Sequence, residues 1–266
     1  MELQQSIAEI NNQQYINAFY VFKNMTISFK YWTLIFALLD SSGLFAQREK
    51  VKNYRKFDNR LFHFGFTLGF NSADFSTYPV TDAYNLYGIT AIENKSQPGG
   101  QVGILTTMKL GHPVVRLRFI PTLSFQERVL TYYYLNPDPG KNIEISNEER
   151  LNSVNIDLPL MLQFRTTRYN NFAAYGLIGA QYSIDLQSQE KVTQSFNNPF
   201  VKIKKFDFQG QVGGGVEFFL PYFKFGVELK YSQSFGNVMI QDNSPVSAPL
   251  DRLYNRVWWF SLIFEG

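Results

Sequence analysis

The side chains able to do chemistry in this chain are few, and that scarcity is informative. It has two histidines, His63 and His112, and no cysteine. Lack of a thiol removes disulfides, cysteine nucleophiles, zinc–cysteine sites and a lipid-anchored cysteine together. A catalytic centre would have to rest on carboxylates and hydroxyls beside one of two imidazoles. His63 alternates with aromatic residues in Phe62-His63-Phe64-Gly65-Phe66. It reads either as a proton-responsive contact to a periplasmic segment or as a hydrogen-bonded interior residue that fixes the N-terminal segment. His112 lies in Gly111-His112-Pro113, which reads as turn surface. Gly210, Gly213, Gly214 and Gly215 imitate a phosphate loop, but no helix and no Lys-Ser/Thr pair follows them. Close packing or bending of a strand accounts for them better. No enzyme, cofactor, metal or small-molecule substrate is expected from this inventory.

Charge is distributed more tellingly. The net charge of +3, from 25 basic and 22 acidic residues, is too weak and too mixed to point to nucleic acid. Arg116, Arg118, Asp157, Arg165, Glu217, Glu228 and Lys230 share one parity within segments whose other parity is apolar. Such a set either lines a selective pore or pairs internally and plugs a narrow lumen. An eight-stranded barrel is only wide enough for side chains to fill, which favours the plug.

The segments carrying these charges have the period-two pattern of strands. Val154–Phe164 is the clearest, with Val154, Ile156, Leu158, Leu160, Leu162 and Phe164 facing away from Asn155, Asp157 and Gln163. Leu61–Phe70, Gln101–Leu110, Val115–Phe125, Ala173–Leu186, Phe206–Leu220 and Phe223–Tyr231 alternate in the same way, with Pro121 as an expected kink. Tyr254–Gly266 closes the chain with Trp258, Phe260, Leu262 and Phe264 on one parity and Ser261 and Glu265 on the other. That makes eight candidate strands. Aromatic residues reach 17%, yet mean hydropathy is only −0.19. An apolar wall around a polar interior gives that combination, whereas a helical membrane protein would be far more apolar.

The gaps between segments fix the architecture. Residues 71–100, 136–152, 187–205 and 235–253 are long gaps, and 111–113, 166–171 and 221–222 are short ones. Strict alternation puts every second turn on the same side. The expected fold is all-β: an eight-stranded antiparallel transmembrane β-barrel with short periplasmic turns and long outer loops. A soluble ligand-binding barrel would turn its apolar face inward. Lys224, Glu228 and Lys230 on one strand face are out of place in such a cavity. Barrel enzymes place catalytic residues at the outer rim, and neither histidine falls on an outer loop.

Ahead of the barrel, Met25–Lys30 is short and positively ended, Tyr31–Leu39 is apolar, and Ser41–Ala46 is rich in small residues. This is the layout of a signal peptide over 25–46, cleaved after Ala46, and its apolar run is well short of the roughly 18 to 20 residues of a spanning helix. Residues 1–24 read as a dispensable or misassigned upstream extension, 47–60 as a periplasmic segment and 61–266 as the barrel. The segment from Gln47 to Arg60 carries Arg48, Lys50, Lys52, Arg55, Lys56 and Arg60 against Glu49 and Asp58. It reads as a solvated basic tail or as an arm, with Lys52, Arg55 and Lys56 as contacts, that docks on an acidic partner.

The run Lys52-Asn53-Tyr54-Arg55-Lys56-Phe57-Asp58-Asn59-Arg60-Leu61-Phe62-His63-Phe64-Gly65-Phe66-Thr67-Leu68-Gly69-Phe70-Asn71 resembles the start of the mature PorT family. There a K-Y-D-x-x-x-x-H-F-G-F-x-L-G-x-N pattern opens the first strand. Phe57 stands where the pattern has Tyr, and residues 1–24 have no counterpart. The ending through Phe260 and Phe264-Glu265 is similar as well, so the resemblance spans about Gln47 to Gly266. It implies an integral outer-membrane protein needed by the type IX secretion system, which exports proteins and supports gliding motility in some relatives. Its partners would be outer-membrane lipid and other secretion proteins. The residues themselves leave open a general structural or adhesive surface barrel. Either way, the protein should fractionate with outer membranes and migrate differently on gels when unheated and when boiled. Co-migration of the two samples together with a soluble fraction would contradict the barrel.

Overall fold

The computed structural model describes residues 52–53, 56–112, 114–135, 144–190, 200–242 and 244–266. The expected signal segment 25–46, the stretch 1–24, Arg55 and the Lys56 side chain lie outside the described residues. Residues 52–53 and 56–60 belong to the same compact unit as the strands.

Apolar–polar alternation sets the strands, and turn residues end them. β1 (Phe62–Pro79) is followed by β2 (Ile89–Lys109), β3 (Val115–Phe119) and β4 (Thr122–Leu135). β5 (Glu144–Arg165), β6 (Phe172–Asp185), β7 (Phe206–Phe219), β8 (Lys224–Ser234) and β9 (Leu250–Glu265) complete the wall. Two short helices, α1 (Lys56–Asn59) and α2 (Ala83–Tyr87), lie before β1 and between β1 and β2. β3 and β4 are one stave broken at Ile120-Pro121, because each pairs with β2 on one side and β5 on the other. Pro121 has no N–H for the ladder, which explains the break at the expected kink. The nine strands therefore occupy eight positions in a ring, all antiparallel.

The ring closes where β1 meets β9. Phe66 lies opposite Phe264, and their rings stack with centroids 4.9 Å apart. Closure removes the unpaired edges that would be intolerable in lipid. Gly65 makes the seam possible: a Cβ there would lie 2.1 Å from the carbonyl oxygen of Phe264.

The two faces are inverted relative to a soluble protein. Outward-facing Phe64 and Phe70 are 61% and 69% exposed, whereas inward-facing Arg118 and Glu228 are fully buried. Apolar surface of that extent is stable only against lipid, so the strands are the membrane-crossing elements. None of the described helices is long and apolar enough to cross.

Several strands run past the limits read from the alternation. β1 and β2 extend into the first long gap, and β4 and β5 continue pairing as far as Leu135 opposite Glu144. Beyond the bilayer the outward face need not be apolar, so the sequence pattern fades while the hydrogen-bonded ladder continues. The β4–β5 ribbon there is held by surface pairs such as Arg150 to Glu127 at 3.2 Å.

The outer end is covered. Phe75, Leu130, Tyr132, Val201, Met239 and Val246 are among the residues of an apolar cluster built from strand ends and the loops that follow β6 and β8. Bonds from Lys204 N–H to the Val238 carbonyl (2.8 Å) and from the Tyr132 hydroxyl to the Val246 carbonyl (2.7 Å) tie these loops down. Asp242 anchors one of them. Burial pushes its pKa up, but donation from Ser247 and Ser244 and the nearby Lys202 hold the carboxyl below the usual range. Since its folded value is lowered, this anchor persists above the ordinary carboxylate range and weakens only in stronger acid.

Replacing Gly65 with Val should force β1 and β9 apart. The fast-migrating folded form should be lost from outer membranes, while Thr67→Val, which removes one hydrogen bond to the Leu262 carbonyl, should retain it. A fully folded Gly65→Val barrel would contradict the close approach at the seam.

Candidate functional site

The lumen is filled by charged side chains delivered from seven of the strands, β3 to β9. Arg118 on β3 is the hub, with Nη1 2.6 Å from Glu228 Oε2 on β8. Its Nη2 lies 3.7 Å from Glu217 and 3.9 Å from Glu265, distances too long for strong hydrogen bonds. The Tyr175 hydroxyl on β6 donates to Glu228 at 2.8 Å, and the same ring lies 5.0 Å beneath the Arg118 guanidinium. Gly215 leaves room for that hydroxyl, since a Cβ there would stand 2.6 Å from it. Lys230 completes the partners of Glu228 at 2.9 Å. Lys224 bridges Glu217 at 2.9 Å and Glu265 at 2.5 Å. Arg165 reaches Glu217 at 3.2 Å, and Gln163 donates to Glu217 at 2.9 Å.

Five of the expected lumen residues, Arg118, Arg165, Glu217, Glu228 and Lys230, thus meet in one cluster. Two do not. Asp157 is buried on the inward face but accepts hydrogen bonds from Ser124 (2.6 Å), Ser183 (2.6 Å) and Gln181 (2.7 Å), with no cation in pairing range. Its neighbours across β4 and β6 are serine and threonine, so it joins a separate polar cluster rather than the ion pairs. Arg116 is 2% exposed, yet its Nε and Nη1 have no hydrogen-bond partner, and its guanidinium sits 5.4 Å over the Phe57 ring. Lys224 and Glu265, absent from the set expected in the lumen network, also belong to the cluster. Both share the inward parity of their strands, so the signal was available.

Counting only described residues, six cations and six acidic side chains are buried in the wall's interior. They are unevenly placed. Arg116, Arg118, Arg165, Lys224 and Lys230 accompany Glu217, Glu228 and Glu265 toward the short turns, whereas Arg128 accompanies Asp157, Asp185 and Asp207 toward the long loops. The interior is balanced overall and biased positive at the periplasmic end.

That end is stoppered by α1. Phe57 is fully buried, stacks on His63 with centroids 3.7 Å apart, and meets Phe219 edge-on at 5.8 Å. Lys224 Nζ lies 4.6 Å from its centroid, so cations back the ring on two sides. Asp58 takes Arg165 at 3.2 Å and Arg168 at 3.3 Å. The Asn53 N–H donates to Asn171 Oδ1 at 2.8 Å. The basic stretch is therefore neither a free tail nor a free arm over these residues: Asn53, Phe57 and Asp58 fasten it to the mouth, and Lys52 is left exposed there. His63 stacks against this segment through its ring, and its buried Nδ1 has no hydrogen-bond partner. Ring packing stabilises without a directional bond, and only the position of Phe57 reveals it. His112 lies in its turn, where Nδ1 accepts the Val114 N–H at 3.3 Å. No group of three or more metal-binding side chains occurs among the described residues.

Comparison with known proteins places the chain. A family model described as "Outer membrane protein beta-barrel domain" matches residues 45–239. Among solved structures, the outer membrane protein OprG from Pseudomonas aeruginosa is 14% identical, with TM-score 0.44, covering 76% of this chain and 94% of that one. Neisserial surface protein A is 11% identical, with TM-score 0.38, over 75% of this chain and 95% of that one. Ail, the attachment invasion locus protein of Yersinia pestis, is 12% identical, with TM-score 0.35, over 78% and 100%. No curated protein matches the sequence.

Glu228 is the most informative single target, because it neutralises both Arg118 and Lys230. Glu228→Gln should destabilise the barrel by about 3–5 kcal/mol, since an uncompensated buried charge is the costly state. The double change Glu228→Gln with Lys230→Met should recover part of that loss. Urea unfolding in lipid vesicles measures both, and a double variant less stable than the single one would contradict the pairing.

Proposed function

We propose a non-enzymatic role in protein secretion for this chain, which belongs to the outer membrane protein beta-barrel domain family. It resides in the outer membrane as a closed antiparallel barrel. The observation that carries the proposal is the filled interior: charges occupy the lumen, Phe57 stoppers one mouth and an apolar cap covers the other. Such a barrel acts through the surfaces it exposes. The run from Lys52 to Asn71 and the terminal aromatic strand resemble the PorT family, and on that ground we assign the chain to type IX secretion as an accessory that binds other secretion components. In this reading residues 25–46 direct export, residues 47–60 face the periplasm, and Lys52, Arg55 and Lys56 offer positive charge to an acidic partner.

A structural or adhesive surface barrel is the second reading. It is favoured by the outer β4–β5 ribbon, where Glu148 and Arg150 stand in solvent beside a half-buried Glu127. The two readings separate in cells. Deleting the protein should abolish export of type IX cargo while the outer membrane stays intact; normal export in the deletion strain sinks the secretion role. Alanine at Lys52, Arg55 and Lys56 together should block export at unchanged barrel abundance. Normal export in that triple variant removes these three residues as docking contacts.

A further inference from the structure

The periplasmic mouth contains a pocket that the sealing of the lumen does not account for. Its volume is about 250 Å³, and Lys52, Lys109, Arg116, Arg165, Thr166 and Arg168 are among its lining residues. Asp58 is its one acidic lining residue among the described residues, and both Arg165 and Arg168 already hold that carboxylate. Three cations remain. Lys52 makes no ion pair with a described residue. Among the described residues, Lys109 Nζ donates only to the Asp58 carbonyl, at 3.2 Å. Arg116 is nine-tenths buried or more, faces the pocket, and has Nε and Nη1 unbonded.

A buried guanidinium with open donors is a costly arrangement unless something completes it. The flat face of Arg116 is taken by Phe57, and its unbonded Nε and Nη1 are sealed from solvent, so a ligand meets this N–H edge as the pocket wall shifts to admit it. Glu217 and Glu265, the nearest lumen acids, are occupied by Lys224, Arg118 and Arg165. The positive bias of the lumen at this end adds long-range attraction for an anion.

We propose that this pocket binds an acidic peptide segment of a periplasmic protein, with Arg116 receiving a carboxylate through its N–H edge and Lys52 and Lys109 neutralising neighbouring charge. The forked donors of an arginine fit a planar carboxylate. A space of about 250 Å³ is about eight times the share of a liquid water, which leaves room for an acidic side chain with the backbone that carries it. Thr166 and Thr167 add hydroxyls at the rim. The inference rests on the partner-binding reading above and gives that partner a chemistry.

The test uses the full chain extracted from outer membranes in non-ionic detergent, with a fluorescent tetraglutamate peptide as probe and anisotropy as readout. The peptide should bind, weaken as salt rises, and lose at least about tenfold in affinity with Arg116→Gln. Because Arg116→Gln removes an uncompensated buried cation, the variant should fold, as its unheated gel migration will show. Lys109→Gln, at the rim, should weaken binding about threefold, and Lys204→Gln on the opposite side of the membrane should leave it unchanged. Absence of binding, or wild-type affinity in both Arg116→Gln and Lys109→Gln, overturns the proposal. So does displacement of the peptide by inorganic phosphate, or by phosphatidylglycerol micelles, at equal or lower concentration. Peptide binding in a protein whose deletion leaves export normal would sink the secretion role alone. Lost export on deletion without peptide binding would sink the pocket alone.

Discussion

Everything in this barrel depends on neutralising charge inside a space too narrow for bulk water. Taking an ion from water into a dry interior costs several kcal/mol, and only well-placed counter-charges and hydrogen bonds offset it. Arg118 and Glu228, 2.6 Å apart and both fully buried, form the centre of that compensation. Lys230, Tyr175, Glu217, Lys224 and Glu265 radiate from it, so β3 and β5 to β9 are tied to one another through this cluster. The wall in turn shields these pairs from solvent, which strengthens them. Outside and inside are thus two answers to one problem: phenylalanines meet lipid, and charges meet each other.

Both ends follow from the same constraint. A paired interior needs its mouths closed to stay dry, and the chain closes them with different chemistry. At the periplasmic end Phe57 is wedged among His63, Phe219, Arg116 and Lys224, an aromatic ring backed by cations. At the outer end loops fold inward over Leu130, Tyr132 and Met239. The periplasmic closure leaves an excess of cation, and the outer half an excess of acid. The two ends of the lumen therefore differ in charge, positive toward the short turns and negative toward the long loops.

How much of this was legible in the sequence depended on how local its cause was. The wall was legible because lipid on one face and side chains on the other impose strict alternation, as in Val154–Phe164. The break at Pro121 was legible because proline lacks a ladder donor. Strand ends were not, since pairing outlasts the alternation once the strand leaves the bilayer, as between Leu135 and Glu144. Inward parity identified the charged side chains but not their grouping. Asp157 and Glu217 look alike along the chain, yet one faces serines and the other faces lysine and arginine, which only the barrel's closure decides. Phe57 was the least legible residue of all. It precedes the first strand in a basic stretch, and its role exists only because the chain folds back into the mouth.

Whether the lumen is a sealed, charge-paired core is read most directly from the conductance of the purified protein in planar lipid bilayers. A sealed barrel should insert without steady ohmic current across moderate voltages at physiological salt. A large, stable conductance from the unaltered protein would mean that the paired charges line an open path, and the account of this barrel would be wrong at its root.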